Sequence, residues 1–219
     1  MEAATPHHLD WVFSLLILLG IILLWARFAF AKRLAFLAGF AFTSEIKTQK
    51  QDADQSYPGI FVVALYTIYL SGLVLLGIGV LSQWGLLELS HKSWRVFLQF
   101  FFIIGLFLVL RNLVIKLVSL IFDQPLLGDL WLDYLTRYRL SIGIWLLPLL
   151  FIAYFSNDLS SFWFVICLAY IGSLSVFHVL RASLRLHNET RVSYYRIFLY
   201  LCTLEISPLI WGGFLILRS

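Results

Sequence analysis

The residues best suited to chemistry lie near the C-terminal end of the chain, inside an apolar stretch. Glu205 stands in this stretch, and Ser207 and Pro208 follow it closely. If the stretch is a helix that begins at Tyr195, Glu205 lies about 15 Å along it, at 1.5 Å per residue. A carboxylate at that depth in a membrane is costly unless it is paired, protonated or hydrated. Pro208 has no N–H for the carbonyl of Leu204, so a free carbonyl would lie beside the acid.

Two interpretations of Glu205 are favoured over a role in catalysis. In the structural one, its carboxylate pairs with Arg111 or Lys116, which stand five positions apart and also serve as a basic flank of a membrane span. In the functional one, Glu205 binds an ion or a proton, because many carriers build such sites from interrupted helices near the membrane midplane. His178 is a further candidate near the end of another apolar stretch. A lone histidine there is more often a hydrogen-bonding residue than a proton carrier.

Patterns of soluble enzymes and of metal centres are missing from the sequence. It has no phosphate-binding GxxxxGK[ST] loop, no GxGxxG, no HExxH and no GxSxG. Both cysteines, Cys167 and Cys202, lie in apolar stretches without a CxxC pattern, so we expect two free thiols. Asp123, Asp129 and Asp133 form the one acidic group that a lipid-modifying enzyme could use, in a segment that is typical of an interfacial helix. We expect no catalytic residue, no metal and no cofactor.

Membrane spans are the elements that would position these residues. Of the 219 residues, 61% are hydrophobic and 13% are charged, whereas a soluble domain is about 45–50% apolar and about 25% charged. A span needs about 20 apolar residues to cross a hydrocarbon core of about 30 Å. The sequence therefore predicts an all-α integral membrane protein, a bundle of about six transmembrane helices in a single domain over residues 1–219. The predicted spans are residues 11–28, 59–81, 94–110, 140–155, 162–180 and 195–217.

Shorter features occupy the connections and the span interiors. Segments 30–40 and 123–139 combine basic or acidic residues with aromatic ones, and we predict short interfacial helices there, after spans one and three. Pro148 is expected to break or bend the fourth span. Gly72, Gly77 and Gly79 would allow another helix to approach the second span closely.

Orientation follows from the basic residues. Of the 16 Lys and Arg residues, three (Lys92, Arg95 and Arg218) fall on one side of the predicted membrane and the rest on the other. Because basic residues are retained in the cytoplasm, both termini are predicted on the non-cytoplasmic side. The net charge of +4 is explained by these flanks, so we expect no nucleic acid. The expected partners are the lipid bilayer and either another membrane protein or a second copy of the chain.

Three segments resemble an uncharacterised family of bacterial inner-membrane proteins, domain of unknown function 4271. The strongest is residues 198–208, which includes Glu205 and Pro208; the second is Gly143 with the Leu-Leu-Pro run that ends at Pro148. The segment around Lys32 and Arg33 is the third. The resemblance implies a multi-pass protein of the bacterial inner membrane, in which the predicted non-cytoplasmic termini would be periplasmic, and it implies no activity. Ser207 departs from the family pattern, which has an aliphatic residue there, and could widen a polar cavity around Glu205.

Three classes of function fit these observations. A non-enzymatic subunit or scaffold of an envelope assembly is favoured, because the loops are short and catalytic patterns are missing. A small proton- or ion-coupled transporter or channel that uses Glu205 near the membrane midplane is the alternative. A membrane-embedded enzyme that acts on lipid is the least supported class.

Overall fold

The computed structural model describes residues 10–40, 59–85, 93–121, 125–156 and 160–190. These ranges contain six α-helices and no strand. Five of the helices, all except the second, are long and apolar enough to cross a membrane. The predicted all-α membrane architecture is therefore confirmed at this level, while the predicted span over 195–217 lies outside the described residues. The helices are α1 (Asp10–Ala29), α2 (Ala31–Phe40), α3 (Gly59–Gln83), α4 (Ser93–Ile121), α5 (Pro125–Phe155) and α6 (Ser160–Thr190).

Three helices extend beyond the predicted spans, and the first of them, α4, continues eleven residues past residue 110 to Ile121. The predicted interfacial segment 123–139 and the predicted span 140–155 are joined in α5, which begins at Pro125 and stays helical through Pro148 to Phe155. Likewise, α6 continues ten residues beyond the predicted end of the fifth span at residue 180 and reaches Thr190. Each of these predicted spans is bounded by the first charged residue next to its apolar stretch. Arginine has a high helix propensity, so the backbone continues through these positions.

The chain divides into two compact units. Unit 1 consists of Met1–Leu106 and Thr136–Gly172, and unit 2 consists of Phe107–Leu135 and Ser173–Ser219. Helices α1, α2 and α3 belong to unit 1, while α4, α5 and α6 each contribute to both units.

Within unit 1, α3 and α5 run parallel to each other. Their contacts advance in the same direction along both helices, from Tyr66 with Arg139 at one end to Leu75 with Tyr154 at the other. Parallel neighbours are expected when one further span crosses the membrane between them, and α4 is long and apolar enough to be that span. The two helices are also the most enclosed: 56% of the most apolar stretch of each is buried, against 22% in α1 and 17% in α6.

Helix α1 runs in the opposite direction to this pair. At its start, the ring of Phe13 contacts that of Phe155 with centroids 5.4 Å apart, so the beginning of α1 lies beside the end of α5. Just past its end, the ring of Phe30 lies 5.0 Å from that of Phe61, near the beginning of α3. The alternation of direction agrees with a chain that crosses back and forth.

A cluster of buried apolar side chains joins α1, α2, α3 and α5 in unit 1. Helix α2 contributes Leu37, which is completely buried, and the indole N–H of Trp145 donates a hydrogen bond of 3.0 Å to the carbonyl of Ala38. The helix predicted near residues 30–40 is confirmed, and one side of it packs on the bundle. Its predicted place in the plane of the membrane surface stays a prediction. The cluster comprises Leu19, Ala26, Leu37, Phe61, Leu65, Ile68 and Leu140.

Glycines bring α3 close to its neighbours. A Cβ atom at Gly72 would lie 3.0 Å from the Cδ2 atom of Leu146, and one at Gly79 would overlap the ring of Phe164 in α6. Close approach is therefore confirmed at Gly72 and Gly79. The same prediction is wrong for Gly77, which has no neighbour within 4 Å of such an atom. Gly72 and Gly79 are two turns apart and share a face, whereas Gly77 points elsewhere.

Candidate functional site

The residues that the sequence singled out are not all within the described part of the chain. Glu205, Ser207 and Pro208 lie outside it. Arg111 and Lys116 both lie on α4 in unit 2, where Arg111 is half-buried and Lys116 is exposed. Of these two proposed partners for Glu205, Arg111 thus has the more enclosed side chain.

Two further observations concern the remaining candidates of unit 2. His178 lies within α6, twelve residues before this helix ends, and directly follows the stretch Ser160–Phe177 that is apolar enough to cross a membrane. Asp129 and Asp133 are exposed and lie one turn apart on α5, while Asp123 is outside the described residues. Over the ranges that the structure describes, no three His, Cys, Asp or Glu side chains come together in a way that could hold a metal ion.

Close packing also occurs inside unit 2. The hydroxyl of Ser119 donates a hydrogen bond of 2.8 Å to the carbonyl of Lys116, one turn earlier in α4. A Cβ atom at Gly128 would overlap the Ser119 side chain, so α4 and the beginning of α5 touch at this point. Serine often satisfies its hydroxyl in this way within apolar helices.

A buried charge in unit 1 provides a site that the sequence argument missed. Arg139 is only 3% exposed, although it lies within the apolar stretch Trp131–Phe155 of α5. Its Nη1 donates a hydrogen bond of 2.9 Å to the hydroxyl oxygen of Tyr66 in α3. A charged residue enclosed in a membrane helix is costly, and such residues usually serve a structural or functional purpose. We therefore treat the Arg139–Tyr66 pair as the candidate functional site.

The turn of α5 around Arg139 is buried on every side. Leu140 packs into the apolar cluster, and a Cβ atom at Gly143 would lie 3.0 Å from the Cα atom of Tyr69. Ser141 is completely buried, and its hydroxyl has no hydrogen-bond partner among the described residues. A buried hydroxyl without a partner costs about 1–3 kcal/mol, which a water molecule or another polar group would recover. The Arg139–Tyr66 pair is thus enclosed by an otherwise largely apolar core.

The chemistry available to this pair is charge binding rather than proton transfer. Arginine remains protonated in proteins and has donors but no acceptor. Arg139 can therefore hold an anion, a carboxylate or a phenol oxygen in place, and it cannot serve as a general base. Because its Nη1 binds Tyr66, the guanidinium also fixes α3 and α5 against sliding along each other.

The family described as a domain of unknown function, DUF4271, matches residues 12–215. The chain belongs to this family. No curated protein and no solved structure matches it. The DUF4271 match confirms the resemblance that residues 198–208 and the two other segments indicated, and it assigns no activity.

Arg139 in this DUF4271 protein was counted from the sequence as a cytoplasmic flank, because it comes just before the uncharged stretch 140–155. Two other features of the sequence indicate that Arg139 lies inside the span. Trp131 stands eight residues earlier, where an aromatic residue at the membrane boundary would mark an earlier start of the span. Gly143 follows Arg139 by four residues, so both lie on the same face of a helix, as they do against α3 in the structure.

Proposed function

We propose that this DUF4271 protein is a non-enzymatic subunit or scaffold of an assembly in the bacterial inner membrane. The proposal rests on the polar side chains of unit 1, which form hydrogen bonds between helices. Arg139 binds Tyr66, and the hydroxyl of Tyr154 donates a hydrogen bond of 2.6 Å to the carbonyl of Leu75. Trp145 likewise binds the backbone of α2. These groups join helices to one another, as expected of a rigid part rather than of a path through the membrane.

Apolar side chains on the outer face of α4 add support. Phe102, Ile103 and Leu106 are 69%, 63% and 72% exposed, and such a face suits either lipid or the helix of a partner. Purification of the tagged, full-length protein in a mild detergent is the test, with a stoichiometric membrane-protein partner as the expected result. A photo-crosslinking residue at Leu106 should then capture that partner, while the same residue at the buried Leu65 should not. A monomer that captures only lipid at Leu106 contradicts the scaffold role.

A proton- or ion-coupled carrier is the second candidate, and the enclosed Arg139 favours it. Ionisable residues enclosed in membrane helices often mark the paths of ions and protons. In this reading Glu205 lies near the midplane of the predicted sixth span and binds the transported ion or proton. The competing structural role pairs Glu205 with the half-buried Arg111.

Substitution of Glu205 by Gln separates the two roles. A proton site is mimicked in its protonated state by Gln, so the carrier predicts a stable protein that fails to complement a deletion strain. A pairing role predicts loss of stability as well as complementation, because removal of one partner of a buried pair leaves the other charge uncompensated, at roughly 3–5 kcal/mol. A variant that is stable and complements excludes both roles for Glu205. The melting temperature in detergent and growth of the complemented strain are the two measurements.

A further inference from the structure

Positive charge in the described part of unit 1 is concentrated at one end. In the described part of this unit, Arg95 lies near the start of α4, and the other five Lys and Arg residues lie where α1 ends and α3 begins. The one acid in the same residues is Asp10, which begins α1 at the opposite end. We call the region where α1 ends and α3 begins the basic end. Its members are Arg27, Lys32, Arg33, Arg137 and Arg139.

Three of these cations surround the bend between α1 and α2. Arg27 occupies the last turn of α1 and is exposed, and Lys32 is exposed in the first turn of α2. Helical hydrogen bonds of 2.9 Å cross the bend on both sides, from the amide of Phe30 to the carbonyl of Ala26 and from the amide of Leu34 to the carbonyl of Phe30. The corner is therefore a continuously hydrogen-bonded piece of backbone and not a free loop.

Contacts with the rest of unit 1 hold this corner in place. The guanidinium carbon of Arg33 lies 5.8 Å from the centroid of the Phe30 ring, and that ring packs on Phe61 of α3. Further along α2, the indole of Trp145 binds the carbonyl of Ala38. The backbone that carries Arg27 and Lys32 is therefore fixed in position, and a fixed backbone loses less entropy on binding than a mobile loop.

The corner also lies at the right height for a lipid phosphate. Helix α1 has 20 residues and is therefore about 30 Å long, which equals the thickness of the hydrocarbon core. Arg27, in the last turn, then lies at the level of the headgroups. Beside it, Trp25 and Phe28 are 42% and 81% exposed and present apolar surface to the glycerol and upper acyl region.

We propose that the α1–α2 corner binds the headgroup phosphate of an acidic phospholipid. Arg27 and Lys32 donate hydrogen bonds to the phosphate oxygens, Arg33 adds a fixed positive charge, and the acyl chains lie along Phe28. The site is independent of the role as scaffold or carrier, because it requires only that α1 crosses the membrane. It deepens the expectation of a lipid partner into one headgroup class and one set of residues.

The test uses the full-length protein in detergent with added phosphatidylglycerol, and bound lipid is counted by native mass spectrometry. Each basic residue near an acidic headgroup contributes roughly five-fold in affinity. We therefore expect Arg27→Gln to weaken binding by about five-fold and the double variant Arg27→Gln/Lys32→Gln by about 25-fold. Arg95→Gln removes an equally exposed arginine at the other end and should leave binding unchanged. The charge-preserving pair Arg27→Lys/Lys32→Arg should bind as the native protein does, within two-fold.

Three results would overturn the proposal. Equal losses for Arg27→Gln and Arg95→Gln would mean that only overall charge matters. Native-like binding by the double variant would place the lipid elsewhere, provided that its melting temperature is unchanged. Displacement of the lipid by millimolar inorganic phosphate or glycerol phosphate would identify a soluble phosphate as the ligand, since a lipid held also by its acyl chains should resist such competition.

Discussion

The guanidinium of Arg139 is enclosed between two apolar helices, where the burial of a charge is costly in free energy. Arg139 lies about 12 Å from Trp131 along α5, at 1.5 Å per residue, and its Nη1 donates a hydrogen bond to the hydroxyl oxygen of Tyr66. Hydrogen bonds to charged groups contribute about 1.5–3 kcal/mol, more than those between neutral groups. The pair therefore stabilises the contact between α3 and α5 and fixes their relative position.

Replacement of Tyr66 by Phe measures this contribution. The ring remains and the acceptor for Arg139 is lost, so the free energy of unfolding should fall by roughly 1.5–3 kcal/mol. A double-mutant cycle with Arg139→Gln should give a coupling energy of at least about 1 kcal/mol. Additive effects in the cycle would show that Tyr66 does not stabilise the charge. Unfolding in a denaturing detergent provides the free energies.

The thiol of Cys167 offers a second test at the scale of one residue. Cys167 is a free cysteine and completely buried, in α6. A polar maleimide should therefore label it at least about a hundred-fold more slowly than a cysteine placed at the exposed Arg95, because reaction requires an accessible thiolate. Fast labelling of the native protein would reveal a water path into unit 1, which the carrier role requires. Cys202 falls outside the described residues, so its reaction is separated from that of Cys167 by Cys202→Ala.

At the scale of the helices, the sequence predicted what depends on local pattern and missed what depends on neighbours. Five apolar stretches of membrane length appear as helices because hydrophobic length alone determines them. The sequence did not predict that segment 123–139 joins the following span in one helix. Charged residues are compatible both with the end of a helix and with its continuation. Gly143 was quoted as part of a family motif, but its closeness to Tyr69 depends on which helix packs there. Residue types alone do not specify that pairing.

Alanine in place of Gly143 tests the approach of α5 to α3. The added methyl group would lie 3.0 Å from the Cα atom of Tyr69, and a backbone atom can yield only if the whole helix moves. Overpacking of this kind costs about 1–3 kcal/mol. Gly77→Ala, in open surroundings on α3, is the matched control and should leave the melting temperature unchanged or slightly raised. Equal melting temperatures for the two variants would contradict the close approach.

At the scale of the whole molecule, the alternation of helix direction and the uneven distribution of charge both support a chain that crosses the membrane back and forth. Helices α3 and α5 run one way and α1 runs the other. The basic end of unit 1 is therefore the side that we predict to be cytoplasmic, because basic residues resist translocation. Composition and length were sufficient to predict this architecture. The predicted site around Glu205 depends on contacts of residues outside the described ranges, and the sequence leaves its partner open.

Reporter fusions test the orientation. An enzyme that is active only outside the cytoplasm should give a signal when it is fused after Ser219 and none when it is fused after Gln51, which follows the basic end. Neutralising Lys32 and Arg33 should weaken this preference more than neutralising Arg95, because several basic residues close to the first span dominate topology. Activity after Gln51 together with silence after Ser219 would reverse the orientation.

The parallel pairing of α3 with α5 also sets an order of events during synthesis. The hydrogen bond between Tyr154 and Leu75 joins residues 79 positions apart. At about 5–20 residues per second, a ribosome needs roughly 4–16 s to produce the intervening chain. Throughout this interval the hydroxyl of Tyr66 and the surfaces around Gly72 have no α5 to cover them. The nascent protein therefore passes through a stage in which its central helix is exposed to lipid or to the insertion machinery, and only the arrival of α5 ends it.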